Sequence, residues 1–380
     1  MTRRVTPEIG VGMLGYAFMG RAHAHAYRAV QSLPAAPPLR PRLISIAGRS
    51  RAALEDAAAR EGYESSTTDW HDLVADPRIG LFDNGGPNHL HAGPTIAAAR
   101  NGKHVICEKP LGRTASESLE IWQEVQATGV KHMCGFNYRF VPAVRMARDM
   151  VQDGELGEIR HFRGTYLQDW GEDAQLDGWR FDSDQAGTGA LGDLASHVVD
   201  LAHFLVGDIT SVAASTRTFV EGRRVDDSVA AVVEFAAGTT GTIEATRLAP
   251  GRRNALRWEL NGSRGSLAFD LERLNELQVY RGDGDRPGGF STVSVTGPST
   301  PYGSWWWPPG HVLGWEHTFV HEIHHLLCAI AEDQDVAPYG ATFEDGYRAA
   351  EVCDAMLRSA ASGNRELVSY VQKLALGSPR

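Results

Sequence analysis

The chain has 380 residues, of which 42% are hydrophobic and 22% are charged, and its net charge is −10. This composition is typical of a packed globular protein of two or three domains and excludes an extensively disordered chain. The negative charge argues against nucleic acid or an anionic membrane as the main partner, and no apolar run approaches the roughly 18 residues needed to cross a bilayer.

The N-terminus and the cysteines predict a cytoplasmic location. Residues 1–4 include two arginines but no apolar segment follows them, so we predict no signal peptide. Cys107, Cys134, Cys328 and Cys353 lie in apolar segments, and none of them forms a CxxC pair. This pattern is typical of reduced, buried thiols.

The first predicted strand, residues 9–14, runs into a glycine-containing turn and then a helix. The turn matches the dinucleotide-binding fingerprint G-x-G-x-x-G, with Ala17 in the second glycine position. Gly15 would permit the tight turn, Ala17 is small enough for the main chain to approach a pyrophosphate, and Gly20 would let helix and strand pack closely. An ordinary glycine-rich turn is the alternative, but the flanking strand and helix favour a nucleotide site. The residues predicted to bind the cofactor here are Gly15, Tyr16, Ala17, Phe18, Met19 and Gly20.

The second predicted strand, residues 43–47, ends in Gly48, Arg49 and Ser50. A fold that selects NAD usually carries Asp or Glu at this point to bind the ribose 2′-hydroxyl, whereas an arginine suits the 2′-phosphate of NADP. Because no acid follows the strand, Arg49 and Ser50 slightly favour NADP, and NAD is not excluded. An exposed loop with ordinary arginines is the alternative interpretation.

Strands and helices go on alternating up to residue 136, which indicates a parallel, doubly wound sheet. We therefore predict a Rossmann NAD(P)-binding domain over residues 1–134 and a second domain, for substrate binding and oligomerisation, over residues 135–380. The remaining predicted elements of the first domain are strands at 79–82, 104–107 and 131–136 and helices at 52–60, 72–75, 94–100 and 114–128.

The strand at residues 104–107 ends abruptly in Glu108, Lys109 and Pro110. Pro110 has no N–H to donate and therefore ends the strand ladder. Ligands bind outside the carboxyl ends of the strands in such a sheet, so a lysine held there would face cofactor and substrate. A surface Lys-Pro turn is the alternative.

A helix is predicted at residues 192–203, after a polar loop at 171–189 that would lie over a site. Asp193 and His197 are four residues apart and hence on one face of this helix. A carboxylate beside an imidazole supports the protonated ring and fixes its orientation, as a general acid or base for a substrate hydroxyl requires. The alternative is a helix-terminal aspartate above a buried histidine that only packs.

The rest of the chain is rich in strand signals, which predict a largely antiparallel sheet followed by closing helices at 314–332 and 343–361. One face of that sheet would be exposed, so we expect a homodimer or homotetramer formed through it. After a helix at 142–152, the predicted strands lie at residues 159–166, 211–220, 229–235, 241–248, 256–260, 266–271 and 277–280.

Residues 321–325 contain H-E-x-x-H, the helix motif of zinc metalloproteases. The motif recurs by chance, no obvious third ligand follows it, and a dinucleotide fold precedes it. We therefore predict no metal site and favour a histidine-rich interface helix.

These motifs resemble those of the Gfo/Idh/MocA family, named after glucose–fructose oxidoreductase, inositol dehydrogenase and a rhizopine-catabolism protein. The resemblance covers nearly the whole chain. Residues 107–112 are similar to the family's lysine motif, and residues 189–200 are similar to its acid and histidine motif. Pro87 and His91 match the proline and histidine after the fourth strand, and residues 137–139 match those that open the second domain.

Residues 307–317 resemble the branch of the family that acts on pyranosides and anhydrosugars, levoglucosan dehydrogenases among them. Two departures stand out. Ala17 replaces a glycine, and Asp-Asn-Gly-Gly at 83–86 stands where the family more often has a Thr-Pro type segment, so cofactor contacts there are expected to differ.

The resemblance implies an α/β protein with an N-terminal Rossmann domain and a C-terminal α/β domain that has a large, mostly antiparallel sheet. It implies reversible hydride transfer between NAD(P)(H) and a ring hydroxyl or ketone of a sugar, sugar derivative or inositol. A catalytically inactive dinucleotide-binding sensor or assembly protein on the same fold is the alternative, against which the intact Lys109, Asp193 and His197 argue.

The same resemblance assigns the site residues. His197 would be the general base in oxidation, Asp193 would orient it or share its proton, and Lys109 would donate to the reacting oxygen. Cofactor contacts are expected from Arg49, Ser50, Pro87, Asn88, His91, Glu108 and Lys109, and substrate contacts from Lys109, Tyr138, Arg139, Asp169, Trp170, Arg180, Asp193, His197 and His311.

Overall fold

The computed structural model describes residues 6–173, 178–282 and 288–371. The N-terminal residues 1–4 and part of the predicted loop at 171–189 lie outside the described residues.

The first part of the chain, as far as it is described, forms a sheet of six parallel strands. They are β1 (Glu8–Leu14), β2 (Arg40–Ala47), β3 (Ser65–Thr67), β4 (Ile79–Asn84), β5 (His104–Cys107) and β6 (His132–Cys134). Their spatial order is β3-β2-β1-β4-β5-β6, so the order reverses between β1 and β4. Ligands bind at the carboxyl ends beside such a switch point. The predicted doubly wound fold is confirmed.

Helices connect these strands where the sequence predicted them. They are α1 (Phe18–Ala29), α2 (Arg51–Glu61), α3 (Trp70–Ala75), α4 (Ala92–Arg100) and α5 (Ala115–Thr128). The ends of α5 show how local residues make a helix begin and end. The Thr114 side chain accepts from the N–H of Glu117 and so caps the first turn, and Gly129 ends the helix in the left-handed conformation with a φ of 76°.

The second sheet has nine strands within the described residues. They are β7 (Ile159–Leu167), β8 (Ile209–Arg217), β9 (Ser228–Phe235), β10 (Thr240–Thr246), β11 (Ala255–Gly262), β12 (Gly265–Asp270), β13 (Glu276–Arg281), β14 (Ser291–Ser294) and β15 (Glu366–Leu367). Their order is β14-β13-β12-β11-β7-β10-β9-β8-β15. β7 and β10 pair in parallel and the other pairs are antiparallel, which confirms a mostly antiparallel sheet.

The remaining helices are α6 (Pro142–Gln152), α7 (Ser183–Ala186), α8 (Ser196–Leu205), α9 (Glu316–Ala331) and α10 (Phe343–Ser362). α8 packs on β7 and α10 on β8, so they cover one face of the second sheet. α9 returns to pack against α1, where Phe319, Val320 and Ile323 join the apolar core of the first sheet. The domain boundary at residue 134 therefore stays a prediction. Across the described ranges, no helix is long and apolar enough to span a membrane.

Candidate active site

A cavity of about 1120 Å³ lies at the carboxyl ends of the parallel strands, between the first sheet and the second part of the chain. The turns after β1, β2, β4 and β5 line one side, and loops and α8 of the second part line the other. The cavity gathers most of the residues predicted from the sequence. Those that line it are Gly15, Tyr16, Ala17, Phe18, Met19, Arg49, Pro87, Asn88, Glu108, Lys109, Tyr138, Trp170, Arg180, Asp193 and His197.

The turn between β1 and α1 fits a pyrophosphate. Gly15 has a φ of 108°, and a side chain there would come within 2.6 Å of Gly85 O. A side chain on Gly20 would meet Gly15 O at 2.0 Å, so Gly20 lets the helix pack closely against the turn. Gly20 does not itself line the cavity. Among the described residues, no side chain caps the N-terminus of α1 and no acid stands in its first turn. Its first N–H groups and the positive end of its dipole are therefore available to a phosphate.

The end of β2 supplies Arg49 to the cavity wall, whereas Ser50 is the N-cap residue of α2 and does not line the cavity. Gly48 lies so close to Tyr16 that a side chain at this position would come within 2.5 Å of the tyrosine ring. In the part of the chain that the structure describes, no Asp or Glu directly after β2 lines the cavity. Arg49 therefore lines the cavity, where its contact with a cofactor stays a prediction, whereas Ser50 does not line it.

The loop after β4 brings Asn88 to the cavity. Its side-chain amide donates to Ala186 O at 2.9 Å, which ties this loop to α7. His91 is fully buried, and its ring nitrogens lie 2.8 Å from Pro110 O and 3.0 Å from Gly86 O. The prediction that His91 contacts the cofactor is wrong, because its ring joins two loops behind the cavity wall.

Lys109 and Arg247 hold the carboxylate of Asp193 from two sides. Lys109 Nζ donates to Asp193 Oδ1 at 3.0 Å and to its main-chain oxygen at 2.8 Å, while Arg247 Nη2 donates to Oδ2 at 2.8 Å. Burial alone would raise the pKa of Asp193, but the charges of Lys109, Arg247 and Arg180 outweigh burial and hold this pKa well below its usual range. Asp193 is therefore ionised and directs the lysine ammonium.

Arg247 is a site residue that the sequence analysis did not identify. It follows β10, in which Ile243 and Ala245 point inward and are buried, and the alternation puts Arg247 on the same face. Its side chain is 1% exposed, and its guanidinium carbon lies 5.0 Å from the ring centroid of Trp170. The signal that could have found it is an arginine at an inward position of an alternating strand.

His197 lies on α8 with its ring against that of Tyr138, at a centroid distance of 4.6 Å. Its Nδ1 is buried and has no hydrogen-bond partner among the described residues, which leaves Nε2 as the nitrogen for a ligand in the cavity. Burial and then the charge of Lys109 lower the pKa of His197 well below its ordinary value, although Asp193 acts in the opposite direction. The ring is therefore neutral at neutral pH and able to accept a proton.

The predicted contact between Asp193 and His197 is wrong. The predicted helix is divided, because Leu191–Ala195 is π-helical and α8 follows it. A π-turn contains more residues than an α-turn, so a spacing of four no longer puts two side chains above one another. The carboxylate turns to Lys109 and Arg247, and the protonated ring is not favoured.

A chain of hydrogen bonds runs along the cavity wall away from His197. The hydroxyl oxygens of Tyr138 and Tyr166 lie 2.8 Å apart, and Tyr166 donates to Asn254 Oδ1 at 2.7 Å. The Gln168 amide donates to the same Asn254 oxygen at 2.7 Å. Tyr166, Gln168 and Asn254 were not predicted, since strand ends and loops give no local signal of which side chain turns inward. Hydroxyl and amide groups of this kind suit a ligand rich in hydroxyl groups.

Arg139, Asp169 and His311 do not line the cavity, contrary to the prediction. Arg139 is buried and donates to the Asp200 carboxylate from Nε at 2.9 Å and from Nη2 at 2.6 Å. Asp169 is ion-paired with Arg253 at 3.1 Å, and His311 lies in an exposed loop. Proximity to a motif in the sequence does not tell which way a side chain points.

The H-E-x-x-H segment lies on α9, and its histidines are engaged in hydrogen bonds. His321 Nε2 accepts from Trp306 Nε1 at 2.8 Å, and its Nδ1 lies 3.0 Å from Phe140 O. His325 Nε2 lies 2.7 Å from Val336 O. Within residues 6–173, 178–282 and 288–371, no group of three or more His, Cys, Asp or Glu side chains could hold a metal ion.

Two family profiles match the chain. One is described as an oxidoreductase family with an NAD-binding Rossmann fold and matches residues 9–136. The other is described as the GFO/IDH/MocA C-terminal domain and matches residues 144–268.

Known proteins resemble the chain over most of its length. The levoglucosan dehydrogenase of Pseudarthrobacter phenanthrenivorans is 42% identical, over 93% of this chain and 96% of that protein. The scyllo-inositol 2-dehydrogenase (NAD(+)) of Bacillus subtilis is 29% identical, over 73% of this chain and 76% of that protein. A structure of levoglucosan dehydrogenase in complex with NADH and levoglucosan superposes with a TM-score of 0.92 at 42% identity, covering 96% of this chain and 100% of that one.

Proposed function

This chain belongs to the Gfo/Idh/MocA family of oxidoreductases, as its motifs predicted, and we propose that it is an NAD-dependent dehydrogenase that oxidises a ring hydroxyl of an anhydrosugar such as levoglucosan or of a related pyranoside. One observation carries the proposal. Lys109 and His197, from opposite parts of the chain, line a single cavity with the uncapped N-terminus of α1.

The turn after β1 would hold the dinucleotide. Gly15, Ala17 and the first turn of α1 would bind the pyrophosphate, and Arg49 would lie beside the adenosine ribose. The relatives' names favour NAD, whereas Arg49 alone would suit NADP, and we propose NAD as the main cofactor. The nicotinamide, when bound, accepts the hydride from the carbinol carbon of the substrate.

His197 would accept the proton of the substrate hydroxyl at Nε2. Its lowered pKa keeps the ring neutral at the pH of most cytoplasms, so a lone pair is available without prior deprotonation. The carbinol would thereby lose a hydride from carbon and a proton from oxygen, which leaves a ketone.

Lys109 would donate a hydrogen bond to the same oxygen and stabilise the negative charge that develops on it as the proton leaves. Asp193 fixes the direction of the ammonium through two hydrogen bonds, and Arg247 fixes the carboxylate in turn. Because both cations are held by an ionised acid, this donor is in position before the substrate arrives.

The sugar would lie against the polar wall that runs from Tyr138 to Asn254. Gln168 and Asn254 offer amide groups to ring hydroxyls, and Trp170 offers an aromatic face to the C–H side of a pyranose. Arg180 also lines this end, next to its neighbour Trp179. We propose these residues as substrate contacts in place of Arg139, Asp169 and His311.

The decisive test is turnover of levoglucosan with NAD+ and, separately, with NADP+, followed by NADH or NADPH absorbance. Scyllo-inositol and reducing pyranoses serve as comparison substrates. NADH formation with levoglucosan would support the proposal. Tight NADH binding without turnover across anhydrosugars, pyranosides and inositols would contradict it and favour the inactive sensor.

The exposed face of the second sheet would form a homodimer or homotetramer. Val232 on β9 is 47% exposed on this face, and Ala230 beside it is also exposed. A cytoplasmic location is part of the same proposal, since the buried Cys107, Cys134 and Cys353 carry free thiols. Light scattering of wild type and of Val232→Asp would test the assembly, and equal masses consistent with a monomer would contradict it.

A further inference from the structure

His23 lies on α1, three residues after Gly20, and is completely buried at the ends of two strands. Its Nδ1 lies 3.0 and 2.9 Å from the two carboxylate oxygens of Asp83 in β4, and its Nε2 lies 3.0 Å from Oε1 of Glu108, which follows β5. Tyr27, one turn further along α1, donates to Asp83 Oδ2 at 2.9 Å. One imidazole thus bridges two buried carboxylates.

This cluster requires a protonated ring. In the described part of the chain, His23 is the only cation paired with Asp83 or Glu108, because the ammonium of Lys109 is directed elsewhere. Burial opposes a charge on the ring, but the two carboxylates outweigh burial and raise the pKa of His23 well above its ordinary value. On the adjoining α9, burial raises the pKa of Glu322, and neither of its two buried oxygens has a hydrogen-bond partner among the described residues, which favours the neutral acid. His23 is therefore an imidazolium that donates to both carboxylates.

Glu108 connects His23 to the cavity. Its side chain lines the cavity, and its second oxygen accepts from the main-chain N–H of Lys109 at 3.2 Å. A side chain on Gly135 would come within 2.8 Å of Glu108 Oε1, so the carboxylate is closely packed on that side. The His23 ring also contacts Phe319, another residue of the cavity wall, at a centroid distance of 5.4 Å.

We propose that His23 is a positioning residue for Lys109: by binding the Glu108 carboxylate, it keeps this acid from pairing with the adjacent ammonium, which stays directed at Asp193 and the reacting oxygen. Without His23, Asp83 and Glu108 would be two buried carboxylates without a cation. Such a pair relaxes by taking up a proton or by turning one carboxylate to another cation, and the neighbouring lysine is that cation. The inference rests on the proposed function only for the role of Lys109 in turnover.

The variant His23→Gln tests the proposal without any ligand. Lys109 is one of four lysines in the chain, so lysine labelled with ¹³C at Cε gives few NMR signals and leaves the ammonium unmodified, and Lys109→Arg assigns the signal at the cavity. We expect the Lys109 signal and its titration midpoint to move in His23→Gln. Both should stay at wild-type values in His25→Gln, a matched change of an exposed histidine on the same helix. An unmoved Lys109 signal in folded His23→Gln would overturn the proposal.

Kinetics distinguish this proposal from the proposed function. In His23→Gln we expect kcat for sugar oxidation to fall about tenfold or more, with the KM for the sugar within roughly threefold of wild type, because the sugar contacts are untouched. Absence of turnover in the wild type would defeat the proposed function, whereas the Lys109 signal would still decide the role of His23. If His23→Gln does not fold, His23→Gln/Asp83→Asn removes one carboxylate together with the cation, and the same movement of the Lys109 signal is expected.

Discussion

The ammonium of Lys109 donates to the carboxylate of Asp193 at 3.0 Å and to its main-chain oxygen at 2.8 Å. Lys109 follows β5 of the first sheet, and Asp193 lies in the π-helical segment that leads to His197. The pair therefore joins the two parts of the chain at the cavity and fixes the lysine relative to the histidine. Since the same carboxylate also accepts from Arg247, its hydrogen bonds go to two cations and not to the imidazole ring.

Replacing Lys109 by Met should remove most of the turnover while the fold stays intact. Met keeps the apolar stem but lacks the donor to the reacting oxygen, and one such donor is worth about 10²- to 10³-fold in kcat. The measurement is kcat for sugar oxidation, with a thermal melt to verify folding. Lys131→Met is the matched control, because Lys131 is ion-paired with Asp333 outside the cavity. A near-normal kcat in Lys109→Met would remove the lysine from the mechanism.

The pH dependence of kcat/KM should report the lowered pKa of His197. A base works in its neutral form, so activity is lost as the pH falls through its pKa. An ordinary histidine would give an acid limb near pH 6.5, whereas burial beside Lys109 shifts this limb to lower pH. We therefore expect oxidation at about pH 6.5, where an ordinary histidine would be half protonated, to keep well over half of its rate at higher pH. An acid limb centred near 6.5 would contradict a buried neutral base.

The histidine itself is tested by substitution. His197→Ala should lower kcat by roughly 10²- to 10⁴-fold, the usual contribution of a general base. His203→Gln serves as control, because His203 is on the same helix but pairs with Tyr370 outside the cavity. Equal losses in both variants would point to damage to α8 and not to lost chemistry.

Arg247→Met should reduce both stability and turnover. Its guanidinium is 1% exposed and bound to Asp193, and its loss should cost less than the roughly 3 kcal/mol of the free energy of unfolding that an unpaired buried charge costs. Because Lys109 still holds the carboxylate, we expect folding to survive and kcat to fall about tenfold. Urea denaturation and steady-state kinetics measure the two effects. Arg253→Met, which removes an exposed arginine at the cavity mouth, should leave stability unchanged.

The sequence predicted the fold well, because its signals are local. The strands of the first sheet are short apolar runs between helices with clear ends, and all but β3 were found. β3 (Ser65–Thr67) has no apolar side chain, and β15 (Glu366–Leu367) is two residues long, so neither carries a hydrophobic pattern. The polar β14 was missed for the same reason.

The site was predicted only where the main chain fixes the side chain. Lys109 lies at the cavity because it directly follows a strand whose carboxyl end faces the cavity. Gly15 lies there because the turn after β1 leaves no room for a side chain. Arg139 was misplaced because its partner Asp200 is 61 residues away in sequence, and no local pattern shows that pairing. The π-helical turn also escaped prediction, since its sequence reads like that of an α-helix.

Arg49→Asp should decide how the cavity selects its dinucleotide. Arg49 lines the cavity after β2, where an acid would accept from the ribose 2′-hydroxyl and repel a 2′-phosphate. We expect the variant to bind NADPH at least tenfold more weakly, which is about 1.4 kcal/mol, and NADH equally well or better. Fluorescence titrations at equal ionic strength measure both, because salt screens the charge of the phosphate. Arg51→Asp, a change of an exposed arginine two residues on that does not line the cavity, is the control. If NADPH affinity is the same in Arg49→Asp as in wild type, Arg49 does not contact the ribose end, and the acid-free loop is merely permissive.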